Sequence, residues 1–364
     1  MKVLGLMSGT SMDGLDCGLF DITLNQNYNL KWICVDFKTF KYSKMIKKNI
    51  SNSLDGNLDD VKKLDKLLGK EIAKISKTFI KNREIDYVAS HGQTISHHDV
   101  VSSVQISDPK YLHQTFNVPV IYNFRQADIR LGGNGAPLMP FLDWLLFKNT
   151  DKDSITLNIG GISNISYVPK LNKRNDVIGF DTGPGMSLID ECCSFFHNKP
   201  FDNNAKYSAK GEIDYIILQE LMENDYINRI PPKSTGRSDF GANIVYYFKE
   251  KYPDIMPNDL IRTFCAFTAK SIASNIEKFL NFNHSEIELI VSGGGVHHSI
   301  LMDDLKNSSS IYKLKKIDSY GISSDMKESL LMAVLGAAHI NGIPANMPSV
   351  TGARELTLLG DIYK

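Results

Sequence analysis

Cysteine is scarce and unpaired in this sequence: five occur among 364 residues, at Cys17, Cys34, Cys192, Cys193 and Cys265. The odd number and the lack of any CxxC spacing argue against a disulfide framework or a structural zinc site, and fit a reducing compartment. The expected location is the cytoplasm. Long apolar runs are also missing. None approaches the roughly 20 residues that span a bilayer, and Val3-Leu4-Gly5-Leu6 is broken by Ser8, Gly9 and Thr10, against a signal peptide. Excess charge of either sign is absent, with 41 Lys and Arg against 41 Asp and Glu. That balance offers no general attraction to nucleic acid or anionic membrane, and neither is expected as a partner. Two nucleotide-binding signatures are lacking. No GxxxxGK[ST] occurs, which excludes a P-loop, and no GxGxxG follows the first strand, which argues against a dinucleotide fold.

What remains is an ordinary globular composition, 42% hydrophobic and 23% charged, on a chain too long for one core, so two domains are expected. KVLGLMSGTSMDGLDCGLFDI reads as strand, glycine-rich turn, strand, and ICVDFKTF as a third strand. Residues 43–82 carry apolar residues at helical spacing, interrupted near Asp55-Gly56. Asp86-Tyr87-Val88-Ala89-Ser90 is a short strand running into a turn at His91-Gly92, Pro119-Val120-Ile121-Tyr122 another strand, and 123–140 a loop. The pattern then restarts: a strand over 154–159, the turn Gly160-Gly161-Ile162-Ser163, and a returning strand. MSGTSMDG matches NIGGISNI, and DYVASHGQTISH matches ELIVSGGGVHHS, in the same order, which suggests two related α/β domains.

The glycine turns carry the candidate chemistry. Backbone N–H groups in a tight glycine turn can approach phosphate oxygens because no side chain intervenes. Gly9-Thr10-Ser11-Met12-Asp13-Gly14 caps the first hairpin. It either holds phosphates, with Asp13 or Asp16 facing magnesium through water, or is a plain hairpin turn. Gly160 and Gly161 form a second such turn, and Gly293, Gly294 and Gly295 a third. Asp181, at the end of a strand, is a candidate general base or an Asx turn cap. Arg125 suits an oxyanion or carboxylate, and a surface ion pair is the alternative. Lys233-Ser234-Thr235-Gly236-Arg237 suits an anion or a helix cap. His91, His97, His98, His297 and His298 lack carboxylate or Cys partners at ligand spacing, so no metal site is expected among them.

GLMSGTSMDGLD, SHGQTISH, FRQADIRLGGNGAPLMP, LNIGGISNIS, GFDTGPG, PPKSTGR, SGGG and PSVTGA occur in an order that resembles the anhydro-N-acetylmuramic acid kinases, from Gly5 to Ala353. The resemblance implies an α/β fold of two actin-like (ribonuclease H-like) domains flanking an ATP/sugar cleft. The expected domains are 1–140 plus 344–364, and 141–343. It implies that ATP, with Mg2+, opens the 1,6-anhydro bond of anhydro-N-acetylmuramic acid and phosphorylates O6, during recycling of cell-wall sugars. Residues 9–16, including Leu15, would bind ATP phosphates. Asp181 would be the base that deprotonates the attacking water, Arg125 a substrate-side arginine, and Glu328 an acidic residue near the reacting groups. A small-molecule anhydro amino sugar and a homodimer partner are also implied. Asn123, Met186, Asn204, Ala205, Ser238 and His298 depart from the family pattern.

Overall fold

The computed structural model describes residues 1–9, 14–53, 58–170, 173–282 and 287–364. The chain divides into two compact units, Met1–Leu146 with Met326–Lys364, and Phe147–Asp325.

The first unit is built on one sheet. Strands β1 (Lys2–Ser8), β2 (Gly14–Leu24) and β3 (Leu30–Lys41) form an antiparallel meander, and β4 (Tyr87–His98) and β6 (Val120–Tyr122) extend it in parallel from β1. The short strand β5 (Ser102–Ile106) pairs with the later half of β4. The apolar residues of β1 and β2 and the helix Leu58–Ile80 share one core, with Leu4, Leu6, Leu15, Leu68 and Ile72 buried. A helix spanning Lys327–Ile340 packs on the sheet. Its approach is close because glycines face it: a β-carbon at Gly5 would lie 2.1 Å from the Ser329 carbonyl oxygen. This helix places the return to the first unit at Met326, earlier than the residue 344 expected from sequence.

The second unit repeats the order. Strands β7 (Asp153–Ile159), β8 (Ile162–Val168) and β9 (Ile178–Pro184) form the meander, and β10 (Ile287–Ser292) and β11 (Tyr312–Lys316) extend it in parallel from β7. β10 is buried throughout, as a central parallel strand requires. The helices Ser187–His197 and Pro257–Phe279 pack together over buried Leu188, Cys192, Cys193 and Phe264. The last strand of the chain, β12 (Asp361–Tyr363), returns to β6.

Three antiparallel strands, with two more added in parallel to the first, is the actin-like arrangement, present once in each unit. The paired motifs fall at equivalent places: the two glycine hairpins at β1–β2 and β7–β8, and the two Ser-x-Gly segments on β4 and β10. Three local expectations differ. β4 does not stop at Ser90 but continues to His98, since Gly92 takes φ +72° and β5 supplies a pairing partner beyond it. The segment read as a loop after β6 contains the helix Gln126–Arg130 and the start of another at Met139. Asp181 lies within β9 rather than at its end: Asn164 pairs with Asp181 but Ser163 with Gly183, a bulge that lets the strand run on to Pro184. Among the described residues no helix is long and apolar enough to cross a membrane.

Candidate active site

In the first unit the candidates meet where β1 ends beside the middle of β4, near the start of the 327–340 helix. A β-carbon added at Gly9 would find open space among the described residues, with Glu328 Oε2 nearest at 3.8 Å. The backbone there can be approached, as a phosphate turn requires. Thr10, Ser11, Met12 and Asp13 lie outside the described residues. Gly14 is needed for packing, since its β-carbon would lie 2.3 Å from the Phe40 carbonyl oxygen, and Leu15 is buried in the core. Asp16, on the opposite face of β2, accepts from Thr39 Oγ1 at 2.5 Å. Gln93 supports the turn: its Oε1 accepts from Ser8 Oγ at 2.7 Å and its Nε2 donates to the Gly9 carbonyl at 3.3 Å. Sequence reading missed this residue, although it stands in the SHGQTISH motif.

Glu328 occupies the first turn of its helix. Burial and then the Asp16 carboxylate push its pKa up to about 7, against the pull of Lys327 and Arg125. Arg125, at the start of the Gln126–Arg130 helix, donates Nη1 to the Gly135 carbonyl at 2.9 Å and two further N–H groups to His91 Nε2. It is not the surface ion pair of the alternative reading. Burial lowers its pKa to about 10, still charged at neutral pH. Next to it, burial and the guanidinium hold His91 down at about 3.

In the second unit, several contacts fix Asp181. Its N–H donates to the Lys233 carbonyl at 3.2 Å, its carbonyl accepts from Tyr226 Oη at 2.9 Å, and its Oδ2 accepts from the Thr235 N–H at 3.0 Å. The PPKSTGR loop thus grips Asp181 rather than standing as a separate anion site. Lys233 anchors that loop. It is buried, donates to the carbonyls of Tyr226 and Ile227 at 3.1 and 3.2 Å, and lies 4.9 Å from the ring centres of Tyr226 and Phe279. Burial lowers its pKa to about 8. In the Gly160-Gly161 turn both carbonyls accept from backbone N–H groups of residues 185–187, and a β-carbon at Gly161 would meet no described atom nearer than Arg237 Nε at 3.5 Å. A β-carbon at Gly294 would meet no described atom within 4 Å, whereas Gly293 and Gly295 pack against Asn158 and Ile159. Of the third turn, only Gly294 offers backbone that a ligand could approach.

Among the described residues no three His, Cys, Asp or Glu side chains cluster as a metal site. His297 lies 3.6 Å from Asp325 and His298 3.2 Å from Asp202, each a pair rather than a ligand set.

The family model described as "Anhydro-N-acetylmuramic acid kinase" matches residues 1–364. The chain belongs to the anhydro-N-acetylmuramic acid kinase family. It is 37% identical to the anhydro-N-acetylmuramic acid kinase of Clostridioides difficile (strain 630), over 100% of this chain and 98% of the relative. It is 35% identical to that of Francisella tularensis subsp. novicida (strain U112), over 99% and 97%. Among solved structures, a ROK family glucokinase from Streptomyces griseus in complex with glucose and AMPPNP is similar over 92% of this chain and 99% of that one, at 9% identity and a TM-score of 0.43. A member of the anhydro-N-acetylmuramic acid kinase family is an enzyme, a kinase.

Proposed function

We propose that this enzyme uses ATP and water to open the 1,6-anhydro bridge of anhydro-N-acetylmuramic acid and phosphorylate O6. In this reading the oxygen of a water molecule attacks C1 and its proton passes to the Asp181 carboxylate. The C1–O6 bond breaks, and the departing O6 takes the γ-phosphoryl group, so ADP leaves and N-acetylmuramic acid 6-phosphate is formed. In an inverting glycosidase a carboxylic acid protonates the leaving oxygen. Here phosphoryl capture takes its place. Phosphoryl transfer needs positioning and charge neutralisation more than covalent help.

The observation that carries the reading is the Asp181 carboxylate, one oxygen held by the Thr235 N–H, within a chain that matches its family from end to end. The held oxygen orients the carboxylate as a base. Gly9, Gly161 and Gly294 are the positions where phosphate oxygens could reach backbone, while the Gly160 N–H already donates to the Ile162 carbonyl at 3.2 Å. Family resemblance assigns Arg125 to the sugar side and gives Glu328 the role of an acidic residue in the reaction. Asp16 could face, through water, a divalent cation brought in on the phosphates. Magnesium there would neutralise phosphate charge. Recycling of cell-wall sugars in the cytoplasm, by a homodimer, completes the reading and rests on family membership.

Turnover in 18O-labelled water tests it. Label should appear at C1 of the phosphorylated product when it is analysed before anomeric exchange. Phosphorylation without label at C1 would sink the ring-opening step and leave an ordinary sugar kinase.

A further inference from the structure

The outer edge of β4 is shared by two short strands with a gap between them. β6 pairs with Val88 and Ala89, and β5 takes over at Gln93. Ser90, His91 and Gly92 lie between these pairings, and a cavity of about 260 Å3 opens there. β5 and the Tyr122-Asn123 segment at the end of β6 supply its other walls.

Three of its lining side chains carry buried polar atoms with no hydrogen-bond partner: Ser90 Oγ, Ser107 Oγ and Gln105 Oε1. Ser90 is only 3% exposed. Buried polar groups are nearly always paired, and leaving one unpaired costs about 1–3 kcal/mol. Three orphans around one cavity point to something that fills it. The lining has no Asp, Glu, Lys or Arg, so the occupant is neutral. The orphans are two hydroxyls, able to donate, and one amide oxygen, able only to accept. A secondary amide presents the complement, one carbonyl oxygen and one N–H. Ile106 and Val104 in the same wall give its methyl group an apolar surface. The far side of His91 is held by Arg125, so cavity and arginine flank one imidazole.

We propose that this cavity is the subsite for the acetamido group of the amino sugar, with Ser90 and Ser107 donating to its carbonyl oxygen and Gln105 Oε1 accepting from its N–H. The proposal rests on the substrate reading above. It adds that the enzyme selects N-acylated sugars through the gap between β5 and β6.

The test compares the anhydro sugar with its analogue bearing a hydroxyl in place of the acetamido group, in steady-state kinetics of the full-length enzyme. The wild type should prefer the acetylated sugar. Ser90→Ala and Ser107→Ala should each raise KM for it by about five- to tenfold at little cost in kcat, the loss of about one hydrogen bond. The preference over the analogue should shrink by the same factor. Neither variant should lower Tm, because each removes a hydroxyl with no partner in the protein. If both variants keep the wild-type preference, the cavity holds only water and the proposal fails while the substrate reading stands. If the wild type does not turn over the acetylated sugar at all, the substrate reading and the subsite fall together.

Discussion

Arg125 donates two N–H groups, from Nε and Nη2, to a single acceptor, Nε2 of His91, at 3.2 and 3.0 Å. A guanidinium can only donate, so Nε2 must offer its lone pair. The other ring nitrogen, Nδ1, lies 3.0 Å from the Gly92 carbonyl, which can only accept. The proton therefore sits on Nδ1, and His91 is locked as one neutral tautomer that aims the arginine.

Replacing His91 with Phe should misdirect Arg125 and lower kcat/KM by about ten- to a hundredfold. Arg125→Lys keeps a charge but loses the planar fork, and should be impaired to a similar degree. Full activity in either variant would remove the pair from the site. The pair also has a pH signature. His91 stays neutral down to about pH 3, far below the ordinary 6.5. Between these values an unfolded chain takes up the proton and the folded one does not, so stability falls as pH drops from about 6.5 towards 3. Denaturant unfolding of wild type and His91→Phe across that window should show a shallower acid loss in the variant.

Glu328 carries the opposite sign. Its pKa is raised from 4.5 to about 7, so between these values the folded protein holds a proton that the unfolded chain has released. This contribution to stability is complete below about pH 4.5 and is lost as pH rises through 7. Glu328→Gln should gain Tm relative to wild type at pH 8 and show little gain at pH 5. Its kcat/KM profile should lack the inflection near pH 7 that the wild type is expected to show. An unchanged inflection would assign that titration to another group.

The first glycine turn separates packing from binding. A β-carbon at Gly9 meets no described atom closer than 3.8 Å, whereas one at Gly5 would collide with backbone. Gly9→Val should therefore fold, with near-normal Tm, and lose ATP affinity severely. Gly5→Ala should lose stability instead. Unaltered ATP affinity in folded Gly9→Val would take this turn out of the nucleotide site.

Asp181→Asn keeps an oxygen for the Thr235 N–H but cannot take a proton from water at neutral pH. The fold and the binding of ATP and sugar should survive, while kcat falls by about two to four orders of magnitude. Near-normal turnover would move water activation to another group, Glu328 first. Loss of ligand binding in a folded variant would make Asp181 a positioning residue.

The buried ion pair of Lys327 and Asp143, 2.7 Å apart, sits one residue from Glu328. Asp143→Ala would strand a buried ammonium, at a cost of about 3–5 kcal/mol. The double variant Asp143→Leu with Lys327→Met should be much more stable than Asp143→Ala alone. Equal Tm values for the two would show that the charges are hydrated rather than paired.

The sequence by itself determined the repeat and the turns. Strand-forming apolar runs around glycine pairs are local patterns, and each half orders them the same way, so two sheets of one topology and their hairpins could be read in advance. Asp181 stood out at a strand end between the glycine turns and Arg125 in the loop after a strand, whereas Glu328 came only from the family resemblance. The tertiary structure alone decided which glycines are open and which are packed. Among the described residues Gly9 and Gly294 face space, while Gly5, Gly293 and Gly295 face backbone or side chains brought there by distant segments. It decided that the PPKSTGR loop grips Asp181, 54 residues earlier in the chain for the Thr235 contact, and that His91 rather than an acid partners Arg125. It decided the bulge that carries β9 past Asp181, because strand pairing is a property of two segments and neither holds the register alone. The raised pKa of Glu328 belongs here too. Burial and a neighbouring carboxylate on β2 produce it, and both exist only once the 327–340 helix has packed against a sheet formed some 300 residues earlier in the chain.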